Sequence, residues 1–145
     1  MYKHILIPTD GSELSEMAIK HAVALAKSLA AKVTGIIVFP TYRPMPTEAL
    51  LVTDTPEQYR KNCDALGAKY LGVVKNTARA SDVLCEVVQV VHEHPYRAII
   101  ETATEKRCDL ICMASHGRKG VAAVLLGSET TKVLTHSRIP VLVYR

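Results

Sequence analysis

The chain has 145 residues, 48% of them hydrophobic, which is the size of one domain and enough for one core without disulfides or metals. Charged residues make up 22% with a net charge of +4, aromatics only 5% with no Trp, and the lysines and arginines are scattered. That excludes the concentrated basic face or stacking aromatics of a typical nucleic-acid binder. No apolar run approaches membrane-spanning length, and Pro8-Thr9-Asp10 interrupts the first apolar run too early for a secretory leader. A soluble, cytoplasmic protein is expected, with neither a membrane nor a nucleic acid as partner. The four cysteines (Cys63, Cys85, Cys108, Cys112) lack metal-finger spacing and read as reduced, buried small hydrophobes.

The elements follow in chain order. "KHILIPTD" carries Ile5, Leu6 and Ile7 in succession, so both faces of a strand are buried, as in a parallel sheet. Ser12 can cap the following helix, with Glu13 and Glu16 favouring its N-terminal dipole. Leu14, Met17, Ala18, His21, Leu25 and Leu29 recur at helical spacing and mark its expected inner face. "KVTGIIVF" is the second strand. Pro40, Pro44, Pro46 and Pro56 then exclude regular structure through most of a long loop. After it, Tyr59, Cys63, Leu66, Tyr70, Val73 and Thr77 mark one face of a second helix, and "VLCEVVQVV" is a β-branched third strand. "YRAIIETATEKR" is a short helix, "DLICMA" a fourth strand, "SETTKVLTHS" a last helix and "IPVLVYR" a last strand. Alternating strands and helices predict an open, parallel α/β sheet in one domain spanning residues 1–145.

Several chemistries are excluded by their missing motifs. There is no G-x4-G-K-[ST] phosphate loop and no G-x-G-x-x-G after the first strand. Asp10 lacks the acidic partners of a phospho-receiver, and no nucleophile set can be assembled by spacing. His92-x-His94 puts two imidazoles on one side of an extended segment, but no third metal ligand is evident. No catalytic residue is assigned.

In open α/β sheets ligands bind beyond the carboxyl ends of strands, where strand order reverses. Two strands end in loop chemistry suited to that place: Pro8-Thr9-Asp10-Gly11-Ser12 and Ala114-Ser115-His116-Gly117. If those strands are neighbours, the loops frame one crevice. Gly127-Ser128-Glu129 opens the last helix, where backbone N–H groups and the helix dipole suit a phosphate. Gly117 permits close approach, and Arg118 and Lys119 can add positive charge. The competing reading is a turn glycine followed by an ordinary Ser128 N-cap. His116 stands beside the same place, as an electrostatic contributor or as a solvated loop residue.

Ala114-x-x-Gly117, nine residues, then Gly127-Ser128, together with "ILIPTDGSELSEMAIKHAVALA" and "IPVLVYR", closely resembles the universal stress protein family. The resemblance runs from Tyr2 to Tyr144 and is weakest from Pro40 to about Asp82. It implies a five-stranded parallel sheet in the order 3-2-1-4-5, Rossmann-like and of the adenine nucleotide alpha hydrolase type, with helices on both faces. It also implies an adenine-nucleotide site for ATP or AMP, with Mg2+ a candidate companion. Carried over by position, Pro8, Thr9 and Asp10 flank adenine and ribose, and Val38 packs on adenine. Met113, Ala114 and Gly117 line the ribose and phosphate side. Gly127, Ser128 and Glu129 hold phosphates through backbone N–H groups.

The ATP-binding pattern has glycine where this chain has Ala114. If position 114 requires positive φ or contact closer than a methyl allows, alanine costs roughly 1 kcal/mol or more. If it simply ends a strand, the change is nearly neutral. The apolar last strand, Ile139 to Arg145, would be a sheet edge, and pairing two copies about a two-fold axis would cover it; this is also the family's usual homodimer. The expected function is a nucleotide-binding stress-response regulator with at most slow hydrolysis or autophosphorylation. The alternative is a nucleotide-free, dimeric protein-interaction module.

Overall fold

The computed structural model describes residues 1–44, 55–117 and 125–145. Its elements are β1 (His4–Pro8), α1 (Glu13–Leu29), β2 (Lys32–Phe39), α2 (Pro56–Ala80), β3 (Cys85–Val91), α3 (Pro95–Glu105), β4 (Leu110–Ala114), α4 (Ser128–His136) and β5 (Val141–Tyr144). The strands form one sheet in the order β3-β2-β1-β4-β5, with every neighbouring pair parallel. This is the order that the resemblance implies.

β1 explains why a continuous apolar run makes a central strand. Its side chains alternate between faces, and both faces are covered. Ile5 and Ile7 join a core with Ile19, Val23, Val33 and Val74, under α1 and α2. Leu6 joins the opposite core with Ile36, Ile99, Ile111 and Val133, under α3 and α4. Helices therefore cover both faces.

α1 begins where its chemistry predicts: Ser12 accepts the Ser15 N–H at 3.2 Å, and Glu13 and Glu16 lie in the first turn. It ends at Ala30, which adopts a left-handed conformation with φ 52°. The inner face differs from the expected one. Ser15, Ala18, Ile19, Ala22, Val23 and Ala26 are buried, whereas Met17 is 49% exposed and His21 is also exposed. Ile19 and Val23 fill the core beneath the helix, the small Ala18, Ala22 and Ala26 let its axis approach the sheet, and Leu25 and Leu29 pack at the margin. His21 has a different partner: its ring stacks on Tyr144 of β5, with centroids 5.2 Å apart.

On α2 the expected Cys63 and Tyr70 are buried and Val73 packs at the margin, while Gly67, Leu71, Val74 and Ala78 complete the inner face and Leu66 is 40% exposed. Thr55 accepts the Gln58 N–H and Pro56 occupies the first turn, where a missing donor costs nothing. The third strand starts two residues later than expected, because Asp82 turns with φ 55° and the Val83 N–H bonds back to Ala78. The last strand is shorter than "IPVLVYR", for Pro140 supplies no donor. Residues 45–54, including Pro46 of the long loop, lie outside the described residues. No helix among the described residues is long and apolar enough to cross a membrane.

β1 is hydrogen-bonded to β2 on one side and β4 on the other, so the chain reverses its direction of winding at β1. The two loops picked from the sequence leave the carboxyl ends of adjacent strands.

Candidate functional site

The turn after β1 is internally bonded. Thr9 gives its N–H to Ile36 O, and its hydroxyl lies 3.1 Å from the Ser15 hydroxyl. Asp10 Oδ1 accepts the Ser12 N–H at 3.0 Å, an Asx turn that presents the carboxylate at the strand end. Gly11 has φ +78°, and a Cβ there would overlap the Tyr70 ring of α2. Only glycine fits that place without strain.

The turn after β4 is tied on both sides. Ser115 N–H donates to Tyr144 O and Ser115 O accepts the Gly127 N–H, both at 2.7 Å. A Cβ on Gly127 would lie 3.0 Å from His116 Cα, and one on Gly117 would overlap Asp10 Oδ2. Both glycines thus serve close approach, the first of loop to helix and the second of loop to loop.

Gly127 is the N-cap of α4 (φ −60°, ψ 154°) and Ser128 the first helical residue. This corrects the Ser128 N-cap reading. Among the described residues no side chain caps the helix, so its first turn presents N–H groups without intrahelical acceptors. Gly127's own N–H is already spent on Ser115. The amides expected at Gly127, Ser128 and Glu129 therefore reduce to those that follow Gly127. The Glu129 carboxylate has its own work: Oε2 takes the Tyr96 N–H at 3.0 Å, and Oε1 takes the Lys132 ammonium at 3.2 Å. It stitches the start of α3 to α4.

The backbone of Ala114 answers the conformational half of the departure noted in the sequence. It is the last residue of β4, paired with Tyr144, and is not among the described residues with positive φ (Ala30, Asp82, Arg107, Gly11). Its carbonyl accepts the Thr130 hydroxyl at 2.9 Å. Nothing in this backbone calls for glycine.

Between these parts lies a cleft of about 580 Å³, within the size range of small-molecule sites. Pro8, Thr9, Asp10, Val38, Met113, Ala114, Gly117, Gly127, Ser128 and Glu129 all line it. Arg118 lies outside the described residues. His116, placed beside the site from the sequence, lines it too, and so do Ser15, Pro95, Ile99 and Thr130, which the sequence did not assign to it. Ile99 and Pro95 come from α3, across the sheet, with no local motif to mark them. Thr130 could have been found as the next hydroxyl in the first turn of α4.

Val38, Ile99, Met113 and Pro8 make an apolar wall, while hydroxyls, the Asp10 carboxylate and the α4 N-terminus make the remainder polar. Such a cleft suits a flat apolar group joined to a hydroxylated, anionic one. The cysteines lie elsewhere. Cys108 and Cys112 are buried, which pushes each thiol up to about 12, so they stay protonated core groups. His92 Nδ1 accepts the His94 N–H at 2.8 Å, ordering the turn before α3. Among the described residues, no group of three or more His, Cys, Asp or Glu is placed to hold a metal ion.

Comparison with known proteins accords with this fold. The family profile described as "Universal stress protein family" matches residues 1–145. Universal stress protein MJ0531 of Methanocaldococcus jannaschii is 34% identical over 145 residues, all of this chain and 83% of that one. The solved structure of the hypothetical protein MJ0577 aligns at TM-score 0.78 and 32% identity, covering 99% of this chain and 95% of that one. The fold is also that of a universal stress protein solved in complex with cAMP (TM-score 0.70, 23% identity, 99% and 97% of the two chains). It is shared by an Arabidopsis thaliana universal stress protein family protein solved with AMP bound (TM-score 0.67, 16% identity, 97% and 90%). By the match along its whole length and by relatives above 30% identity, this chain belongs to the universal stress protein family.

Proposed function

We propose that the cleft binds an adenine nucleotide, ATP or AMP, and that its occupancy is a regulatory signal in a stress response. One observation carries the reading: the β1 turn, the β4 turn and the uncapped start of α4 line a single cleft. Adenine lies against Val38, Met113 and Pro8, the ribose beside Asp10, and the phosphates at Ser128 and Glu129 N–H. Proteins of the same fold solved with cAMP and AMP support the ligand class. Binding rather than turnover is the activity proposed, and Mg2+ would enter only with ATP.

The working unit in this reading is a cytoplasmic homodimer of 145-residue domains, joined through the C-terminal strand from Ile139 to Arg145. β5 is a sheet edge, with Leu142 39% exposed on it and Leu134 of α4 40% exposed. An apolar edge of this kind is stabilised by pairing.

Calorimetric titration with ATP and AMP tests the proposal, on the parent and on Gly127→Val, whose side chain would meet the His116 backbone. Micromolar to millimolar binding by the parent and loss in the variant are expected. Absence of heat with the parent, together with no nucleotide detected by mass spectrometry after purification, leaves the alternative of a nucleotide-free, dimeric interaction module.

A further inference from the structure

Among the described residues, α3 has no N-terminal cap from its own stretch of chain. Its N-cap residue, His94, makes no side-chain capping bond, and the first turn carries no acid. Pro95 has no N–H to satisfy, so the Tyr96 N–H is the first amide of the helix in need of an acceptor. That acceptor comes from another helix. Glu129, the second residue of α4, takes the Tyr96 N–H on Oε2 at 3.0 Å, across 33 residues of sequence. One carboxylate thus serves the first turns of both α3 and α4, where each helix dipole favours negative charge.

The contact is braced. Lys132 donates to Glu129 Oε1 at 3.2 Å, and its Nζ lies 5.7 Å from the centroid of the Tyr96 ring. His136, at the end of α4, packs on the same ring with centroids 5.2 Å apart. Tyr96 is therefore held to α4 through its backbone and through its ring. The two helices bring different parts of the cleft: α3 supplies Pro95 and Ile99, the second of them in the apolar wall, and α4 supplies Ser128 and the amides of its first turn. The Tyr96–Glu129 bond joins these two sets at residues that directly follow Pro95 and Ser128.

We propose that the Glu129 side chain is a positioning residue for the nucleotide: by capping α3 it sets the span between the apolar wall and the phosphate-binding turn. The proposal rests on the nucleotide reading of the cleft and gives the carboxylate a task separate from that of the Glu129 N–H. A ligand that joins base to phosphate covalently gains from finding both ends of its site in register, and a ligand that touches one end does not. Glu129 therefore favours the whole nucleotide over its fragments.

The test compares two uncharged replacements, so that any repulsion between the carboxylate and a phosphate cancels. Glu129→Gln keeps an oxygen able to accept the Tyr96 N–H, and Glu129→Ala has none. The side chain is 38% exposed, so neither variant opens the core. Amide hydrogen exchange reads the cap directly: the Tyr96 amide should exchange about tenfold faster in Glu129→Ala than in Glu129→Gln. Amide chemical-shift titrations of the parent and both variants with AMP, adenosine and inorganic phosphate follow. AMP should bind Glu129→Ala about tenfold more weakly than Glu129→Gln, while adenosine and inorganic phosphate should separate the two variants by no more than about twofold. Equal AMP affinity of the two variants overturns the assignment while the nucleotide site stands. So does a loss of adenosine or phosphate binding as large as that of AMP, which would make the contact a matter of stability alone. Equal Tyr96 exchange in the two variants denies the cap itself. Failure of the parent to bind AMP removes the nucleotide reading, and this assignment with it.

Discussion

Asp10 Oδ2 occupies the space that a Cβ on residue 117 would need, so the loops after β1 and β4 touch through a carboxylate and a missing side chain. Asp10 cannot easily retreat, because its Oδ1 holds the Ser12 N–H. Gly117→Ala should therefore displace the carboxylate or part the two loops. Gly117 is exposed and is not among the described residues with positive φ, so no backbone strain is added and the stability loss should be that of the displaced Asp10 contact, about 1 kcal/mol. AMP affinity should fall by about tenfold, the equivalent of roughly one charge-assisted hydrogen bond. Calorimetry beside thermal unfolding checks both; undiminished affinity would mean that the contact is incidental to binding.

Restoring the glycine of the family pattern should bring no benefit. Ala114 has ordinary strand geometry, pairs with Tyr144 and is 8% exposed. In Ala114→Gly the unfolded chain gains freedom that folding must then remove, which costs about 0.5–1 kcal/mol. Nucleotide affinity should stay within about twofold of the parent, a difference near 0.4 kcal/mol. Urea unfolding and titration measure the two quantities. A large gain in affinity would show that the methyl, rather than the backbone angle, obstructs the site.

Gly11 presents the opposite case. Its φ of +78° disfavours any L side chain, and the Tyr70 ring fills the place of a Cβ. The left-handed conformation alone costs alanine roughly 1 kcal/mol, and displacing a ring that is 9% exposed adds to that. Gly11→Ala should destabilise by about 2 kcal/mol or more. In a Tyr70→Leu background the steric part should shrink while the backbone part remains, and a double-mutant cycle of urea midpoints separates them. Full additivity would deny the contact between this turn and α2.

These residues also mark what could be read along the chain and what could not. The Ile5-Leu6-Ile7 run, the Ser12 cap and the paired loop glycines are local signals, and the strands, helices and most of the cleft follow from them. The inner face of α1 holds Ala18 as expected, with Leu25 and Leu29 packed at its margin, but it is rotated away from Met17 and His21 toward Ile19 and Val23. Alanines 18, 22 and 26 are buried since they allow close packing, while Met17 remains half exposed. The share of Ile99 in the cleft depends on which helix crosses the sheet there, and no spacing within α3 records it. The engagement of the Gly127 N–H by the Ser115 carbonyl is likewise a tertiary fact. Local pattern reveals which groups are available, and packing decides which are already used.

At the opposite end of the sheet a polar chain running from buried His4 and Thr34 to half-exposed Glu86 and Lys106 predicts acid sensitivity. His4, 4% exposed, has Nε2 2.7 Å from Thr34 Oγ1; the Thr34 hydroxyl donates to Glu86 Oε1 at 3.0 Å, and Lys106 donates to Glu86 Oε2 at 3.0 Å. Since Thr34 gives its proton to Glu86, it must accept one from His4, which selects the imidazole protonated at Nε2. Burial, aided by Lys32, lowers the His4 pKa below its ordinary 6.5. Above pH 6.5 the folded and unfolded chains both hold neutral His4, and stability does not depend on it. As pH falls below 6.5 the unfolded chain protonates first, so stability declines until the lowered folded value is passed. Glu86 acts in a lower window. The Lys106 hydrogen bond pulls its pKa below 4.5, so its contribution is present above pH 4.5 and is lost as pH falls through the folded value. Urea midpoints of the parent should therefore fall between pH 7 and 5 and fall again below 4.5. His4→Gln keeps a donor for Thr34 but cannot titrate, so it should flatten the upper window and leave the lower one. An unchanged slope between pH 6.5 and 5 in that variant would assign the upper loss of stability to another histidine.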